Sequence, residues 1–385
     1  MFDKSEELFP YKKKLNFIAF CSVSPLYAPA AKAAKDYYDR QSVDGLCLYD
    51  YYAGALSIPA RFRSAVAKLI STSPENITIP TNTSEALNLV ANGYPFQPGD
   101  EIVSFVHEYP ANHYPWVLQQ KRGVKLKLLQ NDNLKEKIPQ GLVGGWSNIE
   151  ALVTKKTKII SLSHVQFTSG YAADLAELGA FCKNRGIDLV IDAAQSLGSL
   201  PIDVEKYGIS ALAASGWKWL LGPVGTGVLY TSKAFRDKIE ITMSGADHML
   251  QQMEYLNHDW NPFEDGRKFN YSTISYASVE GLATVIDQVF NHYSVEAIQK
   301  EIFRLQDLAL SLLDRTKYLP IEHEPRHRSG ILAIVPKKGN AKEIHAELKK
   351  NNVLITPRDG YLRFAPHFCT TELEIEKAIS LLNKL

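Results

Sequence analysis

In SGWKWLLGPVGTGVLY, residues 215–230, Lys218 stands between Trp217 and Trp219. An ammonium in apolar surroundings is costly unless it is paired, neutral or covalently used. The bland outcome for such a stretch is a lysine stem lying along apolar surface with its head in water. Upstream, Asp192 ends the apolar run DLVID, where a carboxylate is equally expensive unless a cation or a hydrogen-bond donor meets it. Two readings of the pair stand: a structural ion pair, or a pyridine-ring cofactor whose protonated nitrogen bonds Asp192 while Lys218 bonds its aldehyde as a Schiff base.

Pyridoxal phosphate chemistry uses both charges. It needs a lysine that can become a neutral amine, and burial beside Trp217 and Trp219 favours that form. A carboxylate must keep the ring nitrogen protonated, because the protonated ring is the electron sink for charge developing at the substrate's Cα. The phosphate needs amides and hydroxyls, for which the helix start NTSEA, Thr83, Ser84 and Ser215 are candidates. GPVGTG, residues 222–227, lacks the GxGxxG spacing and does not open a helix, so a nicotinamide dinucleotide is disfavoured. It reads as a tight turn into the strand VLYTS, with small residues permitting close backbone approach.

Positioning these residues requires an α/β fold. From about residue 60 to 230, strand-like apolar runs alternate with helical patterns, which implies a mostly parallel sheet flanked by helices. EIVSFVHEYPAN, KIISLSHVQFTSG and DLVIDAAQSLG each end in polar and turn residues. Ligands gather at the carboxyl ends of strands in such sheets, so Glu108, Tyr109, His164, Gln166, Asp192 and Gln195 are expected to face one crevice. TNTSEALNLVANGYP predicts a helix with Asn82 or Thr83 as its cap and Glu85 in its first turn. The stretch VEKYGISALAASG between Asp192 and Lys218 predicts a helix and one more strand. After residue 280 a long helix precedes the short strands GILAIVP and YLRFAPHF, separated by the helical AKEIHAELKKNN. The chain thus divides into a large cofactor-binding domain, residues 21–280, and a smaller C-terminal α+β domain, residues 281–385, joined by the segment 1–20.

Composition narrows the partners. With 385 residues and 45% hydrophobic content the chain can bury a large core. Lys and Arg number 43 against 42 Asp and Glu, so nothing points to nucleic acid or an anionic membrane. The opening MFDKSEELFP is acidic and no run reaches membrane-spanning length, which leads to the expectation of a cytoplasmic protein. Cys21, Cys47, Cys182 and Cys369 lack CxxC or CxxH spacing, so neither a metal site nor a disulfide framework is expected.

Taken in order, LNFIAFCSVSP, TSEALNLVA, HEYPANHYPW, SHVQFTSG, DAAQSLG, SGWKWLLGPVGTGVLY and RDGYLRFAPHFCTTELEIEKA resemble the class V aminotransferases of the fold-type I pyridoxal-phosphate enzymes. That family includes cysteine desulfurases, selenocysteine lyases, kynureninases and isopenicillin N epimerase-like proteins. The resemblance implies that Lys218 is the Schiff-base lysine, Asp192 the ring-nitrogen partner and Gln195 a donor to the ring's phenolic oxygen. It implies that Thr83, Ser84, Ser215 and Trp217 bind phosphate and that Tyr109 stacks on the ring, where desulfurases have histidine. Arg363, in GYLRFAPHF, matches the arginine that grips the substrate's α-carboxylate, with Arg358 at the entrance. His164 occupies the position of the family's histidine in the HV pair, as either a catalytic or a structural group, and Gln166 or Phe167 falls near where desulfurases place an asparagine, with Gln166 as the substrate-binding candidate. FNYSTIS matches the segment that crosses to the partner subunit, where Ser272 or Thr273 would reach the phosphate, so the resemblance implies a homodimer with shared sites.

The reaction stays open between transamination, which the family name favours, a C–S or C–C β-lyase reaction, and epimerisation. Desulfurases of the family carry an attacking cysteine on a loop before the carboxylate-binding arginine; here only DGYL separates Arg358 from Arg363, and Cys369 lies beyond. A persulfide-forming desulfurase is therefore not expected. A non-catalytic relative that binds pyridoxal phosphate is the alternative of another class, which an intact Lys218, Asp192 and Arg363 disfavour.

Overall fold

The computed structural model describes residues 1–44, 57–130, 147–251 and 254–385. Its strands in chain order are β1 (Asn16–Phe17), β2 (Ile77–Thr78), β3 (Glu101–Phe105), β4 (Lys125–Leu129), β5 (Thr157–Ser163), β6 (Asp188–Asp192), β7 (Ala211–Ser215), β8 (Gly227–Thr231), β9 (Tyr318–Pro320), β10 (Leu332–Pro336), β11 (Val353–Leu354), β12 (Thr356–Arg358) and β13 (Tyr361–Phe364). The runs forming β3, β6, β7 and β8 are buried at every residue, which is why they read as continuous apolar stretches rather than as alternating ones.

Seven strands form the main sheet in the order β2-β8-β7-β6-β5-β3-β4. The five from β4 to β7 are mutually parallel, while β8 runs antiparallel to both its neighbours. The carboxyl ends of β3, β5, β6 and β7 therefore open along one edge. Between β6 and β7 the predicted helix is absent: residues 204–208 form turns, closed by Tyr207 N–H to the Asp203 carbonyl and Gly208 N–H to that of Glu205. Gly208, at φ 61°, takes a left-handed conformation that would break a helix.

The second sheet is antiparallel, ordered β12-β13-β10-β9, with the helices Val295–Leu312, Ala341–Lys350 and Glu372–Leu382 nearby. The last begins with a capping box in which the Thr371 hydroxyl and the Glu374 carboxylate each satisfy a backbone N–H. Leu305, Leu348, Phe364 and Ile375 form its core with Ile18 from the far end of the chain. β1 pairs in parallel with β11, Asn16 opposite Val353. Lys4 bonds Glu301 and the Thr370 carbonyl, each at 2.6 Å, and Lys12 bonds Glu374 at 2.8 Å.

Among the described residues no helix is long and apolar enough to cross a membrane, and no cluster of His, Cys, Asp and Glu is placed to hold a metal. Cys21, Cys182 and Cys369 are buried free thiols; Cys47 lies outside the described residues.

Gly170, at φ 75°, lies where an added Cβ would come within 2.2 Å of the Ile331 carbonyl oxygen. Gly170→Ala is expected to cost about 1–3 kcal/mol, read as a lower denaturant midpoint at unchanged slope. An unchanged midpoint would show that the loop relaxes freely.

Candidate active site

Lys218 is carried on a turn that β7 and β8 hold closed. Gly216 N–H donates to the Thr226 carbonyl at 3.0 Å, Gly222 N–H to Gly216 at 2.9 Å, and Leu221 N–H to Lys218 at 3.0 Å. Trp219 points away into the core and is fully buried, its indole N–H donating to Gln195 Oε1 at 3.0 Å. A glycine at 330 is needed there, since a Cβ would lie 2.4 Å from the Trp219 ring. The backbone of Trp219 is fixed too, because its carbonyl accepts from His367 Nε2 at 2.9 Å while His367 Nδ1 accepts from Phe368 N–H. With Trp219 so anchored, Lys218 faces the other way, into the crevice.

There its Nζ lies 5.2 Å from the centre of the Tyr109 ring. Among the described residues it makes no hydrogen bond and no ion pair, so the structural ion pair with Asp192 is not formed. Desolvation lowers its affinity for a proton; Asp192 opposes this, and the charges of Arg363 and Arg358 add to it. Asp192 is 4% exposed and accepts one bond, from Ala194 N–H at 2.8 Å. Burial raises its carboxyl above the usual range, with the Ala194 amide and Lys218 acting in the opposite direction.

Arg363 reaches the same crevice from β13. It is 2% exposed, donates one hydrogen bond to the Phe167 carbonyl at 2.8 Å, and its Nε is buried without a partner. No carboxylate of the described residues pairs with it. Phe167 was not singled out for this role, yet it holds Arg363 through its carbonyl and meets Tyr109 edge-on, ring centres 5.3 Å apart. Gln166 makes that turn: its Oε1 accepts from the backbone N–H and hydroxyl of Thr168 and of Ser169, and its Nε2 donates to the His107 carbonyl. The amide expected to bind substrate is thus largely spent on loop structure.

Gln195 is similarly employed, donating to the Cys21 carbonyl at 2.9 Å while accepting from Trp219. His164 donates its backbone N–H to the Asp192 carbonyl at 2.9 Å, tying β5 to β6. Its Nδ1 is buried without a partner, and burial pushes the imidazole down to about 4, so it is neutral.

The helix Thr83–Gly93 starts as predicted, with Asn82 capping Glu85 N–H. Thr83 sits in its first turn with a buried hydroxyl that has no partner; Ser84 is exposed. The Ser215 hydroxyl and the Trp217 indole N–H bond nothing among the described residues. Ser272 and Thr273 are exposed and line a cavity of about 100 Å³ with Thr81, Glu85 and Thr226. Thr226, which the sequence reading passed over as part of a turn, also has a buried, unpartnered hydroxyl.

Arg358 at the end of β12 and Tyr361 at the start of β13 are joined by a two-residue turn, Asp359 at φ 48° and Gly360 at φ 90°, both left-handed as a tight hairpin requires. Arg358 is exposed and lines a cleft of about 520 Å³ beside this turn. Cys369 is fully buried, 3.6 Å from the Tyr11 hydroxyl, and burial pushes its thiol up to about 12.

The sequence pattern of one family, Aminotransferase class-V, matches residues 23–361. The chain belongs to that family. This class V aminotransferase chain is 29% identical to a protein named probable cysteine desulfurase from Methanothermobacter thermautotrophicus, over 82% of this chain and 77% of that one. It is 26% identical to a protein named uncharacterized aminotransferase YcbU from Bacillus subtilis, over 98% of this chain and 96% of that one. Among solved structures it superposes on a C-DES mutant with glycine covalently linked to its cofactor at a TM-score of 0.91 and 20% identity, covering 99% of each chain. A complex of the cystine C–S lyase C-DES with cysteine persulfide superposes at 0.89 and 21% identity, over 98% of this chain and 99% of that one. The fold is that of the fold-type I enzymes, and the class V family uses pyridoxal phosphate.

The residues present fit that cofactor on independent grounds. A buried hydroxyl without a partner at a helix start suits a phosphate oxygen, and a buried carboxylate with little compensation suits a protonated ring nitrogen.

Burial holds His164 and His367 down to about 4, against the ordinary 6.5. Unfolded chains take up protons on these imidazoles below 6.5 that the folded protein refuses until about 4. Stability is therefore expected to fall as pH drops through this window, seen as a decreasing denaturant midpoint. A flat profile would mean that both rings reach solvent.

Proposed function

We propose that the protein holds pyridoxal phosphate with Lys218 as its covalent anchor and breaks a carbon–sulfur bond in a cysteine-like amino acid by elimination. The carrying observation is the pair of cations Lys218 and Arg363 in one crevice, neither matched by an ion pair. A buried guanidinium with a free Nε and no acid partner is suited to an anion, and the α-carboxylate of an amino acid meets its planar fork.

Bound pyridoxal phosphate supplies the electron sink for charge developing at Cα. Asp192 would hold the proton on the ring nitrogen. Tyr109 would lie against the ring, and Thr83, Ser84, Ser215 and Trp217 would receive the phosphate. Lys218 Nζ, with its lowered proton affinity, would take the proton from Cα, and Arg363 would hold the carboxylate so that this bond faces Nζ. His164 would act as a neutral structural group, and Gln195 would keep one amide hydrogen for the cofactor's phenolic oxygen.

Elimination is favoured over sulfur transfer to the protein because the hairpin before Arg363 has no room for a cysteine-bearing loop, and Cys369 is sealed in the core. The desulfurase names of the relatives support a sulfur amino acid as substrate. Transamination is the second reading, favoured by the relative YcbU, whose match spans 98% of this chain.

Purified protein is expected to be yellow, and Lys218→Ala to lose turnover while staying folded. Arg363→Ala should raise KM for amino acids by about 100-fold or more while cofactor content is kept. Elimination releases sulfide from cysteine, or cysteine persulfide from cystine, together with pyruvate and ammonia, catalytically; conversion of one equivalent of substrate without ammonia would select transamination. A protein that stays colourless with added cofactor would overturn the reading.

A second copy of the chain completes the proposal. Leu250, Tyr255, Leu256 and Trp260 are exposed within one segment, Leu256 at 93%, and Ser272 and Thr273 follow it in the chain. A dimer is expected by analytical ultracentrifugation, and Leu256→Asp should yield monomer with weakened cofactor binding. An unchanged dimer would place the interface elsewhere.

A further inference from the structure

Glu108 follows β3 and immediately precedes Tyr109, yet its carboxyl turns to the adjacent strand. Oε1 accepts from Ser163 N–H at 2.8 Å, and Oε2 accepts from the Ser163 hydroxyl. In the β5–β6 register Ser163 lies opposite Asp192. The chemistry proposed above leaves this carboxyl without a task.

We propose that Glu108 is a positioning residue with a proton-linked effect: it pins the Tyr109 turn to the end of β5 and, when ionised, adds negative charge beside Asp192 that strengthens its hold on a ring-nitrogen proton. The inference rests on the reading of Asp192 as the ring-nitrogen partner. The groups around Glu108 are few. Asp192 is the titratable one; Ser163 on β5 and Asn112 in the turn after Tyr109 are neutral, and the Asn112 amide, like Ser163, favours the ionised carboxylate. Burial pushes the Glu108 carboxyl up to about 7 against the two Ser163 donors, and the charge of Asp192 acts with burial. The repulsion is mutual, so ionised Glu108 raises the proton affinity of whatever Asp192 shares a proton with. As pH rises through about 7 the site gains negative charge, in the direction that keeps a pyridine nitrogen protonated.

Glu108→Gln separates the two effects, since the amide can still bond Ser163 but carries no charge. The first readout is an infrared pH titration of the purified protein. Wild type should show a protonated-carboxyl band that disappears with a midpoint near 7 and is absent in Glu108→Gln. Ser163→Ala, which removes a donor to the ionised form, should raise that midpoint. The second is nitrogen NMR of holoenzyme loaded with ring-labelled pyridoxal phosphate. The midpoint for loss of the ring-nitrogen proton should lie about one pH unit lower in Glu108→Gln than in wild type. Equal midpoints in the loaded variant would overturn the charge effect. A carboxyl band that survives Glu108→Gln, or a midpoint unmoved by Ser163→Ala, would overturn the assignment of the group. Failure of the wild type to take up cofactor would sink the proposed function as well, an outcome that the infrared titration distinguishes.

Discussion

Keeping Lys218, Arg363 and Asp192 in one desolvated crevice without letting any two of them close into an ion pair is the constraint on which the rest depends. Each buried charge costs several kcal/mol, and a closed pair would recover much of it while ending the chemistry. The fold prevents collapse by fixing each backbone from behind. Trp219 is locked into the core by Gln195, His367 and the missing side chain at Gly330, so its neighbour Lys218 cannot turn inward. Asp192 is held by the Ala194 amide, and Arg363 is tied to a carbonyl rather than to an acid. A carbonyl orients the guanidinium without neutralising it.

The same logic explains the apparent excess of amide side chains around the site. Gln166 and Gln195 carry no charge and bond in two directions, so they brace the walls without adding to an already crowded field. His164, neutral through burial, joins them as an uncharged wall. The cysteine-free hairpin before Arg363 has a counterpart in these walls: neither it nor they bring a thiol to the crevice.

Much of this was legible in the sequence. Strand runs ending in polar residues gave the parallel sheet and its open edge, because a sheet buried on both faces must be apolar until its strands emerge. The Asn82 cap was readable because its pattern is local. The turns before β7 were not foreseen, since one glycine in a left-handed conformation overrides a stretch of otherwise acceptable helix formers. Nor was the division between Trp217 and Trp219 visible: which of two neighbouring indoles enters the core depends on a glycine at 330, far along the chain. That Gln166 is spent on its own loop was hidden for the same reason, because a side chain's partners are set by tertiary packing rather than by residue type.

The pairing of β1 with β11 bears on how the chain is made. Asn16 finds its partner in Val353, and Lys4 its partners in Glu301 and Thr370, so this segment gains these contacts only after residues far later in the chain have been made. At about 5–20 residues per second the ribosome takes on the order of tens of seconds to deliver them. During that interval Ile18, which packs with Leu305, Leu348, Phe364 and Ile375, has no core to enter. Closure of this strap is a late, long-range event, and the growing chain is most vulnerable to aggregation just before it happens.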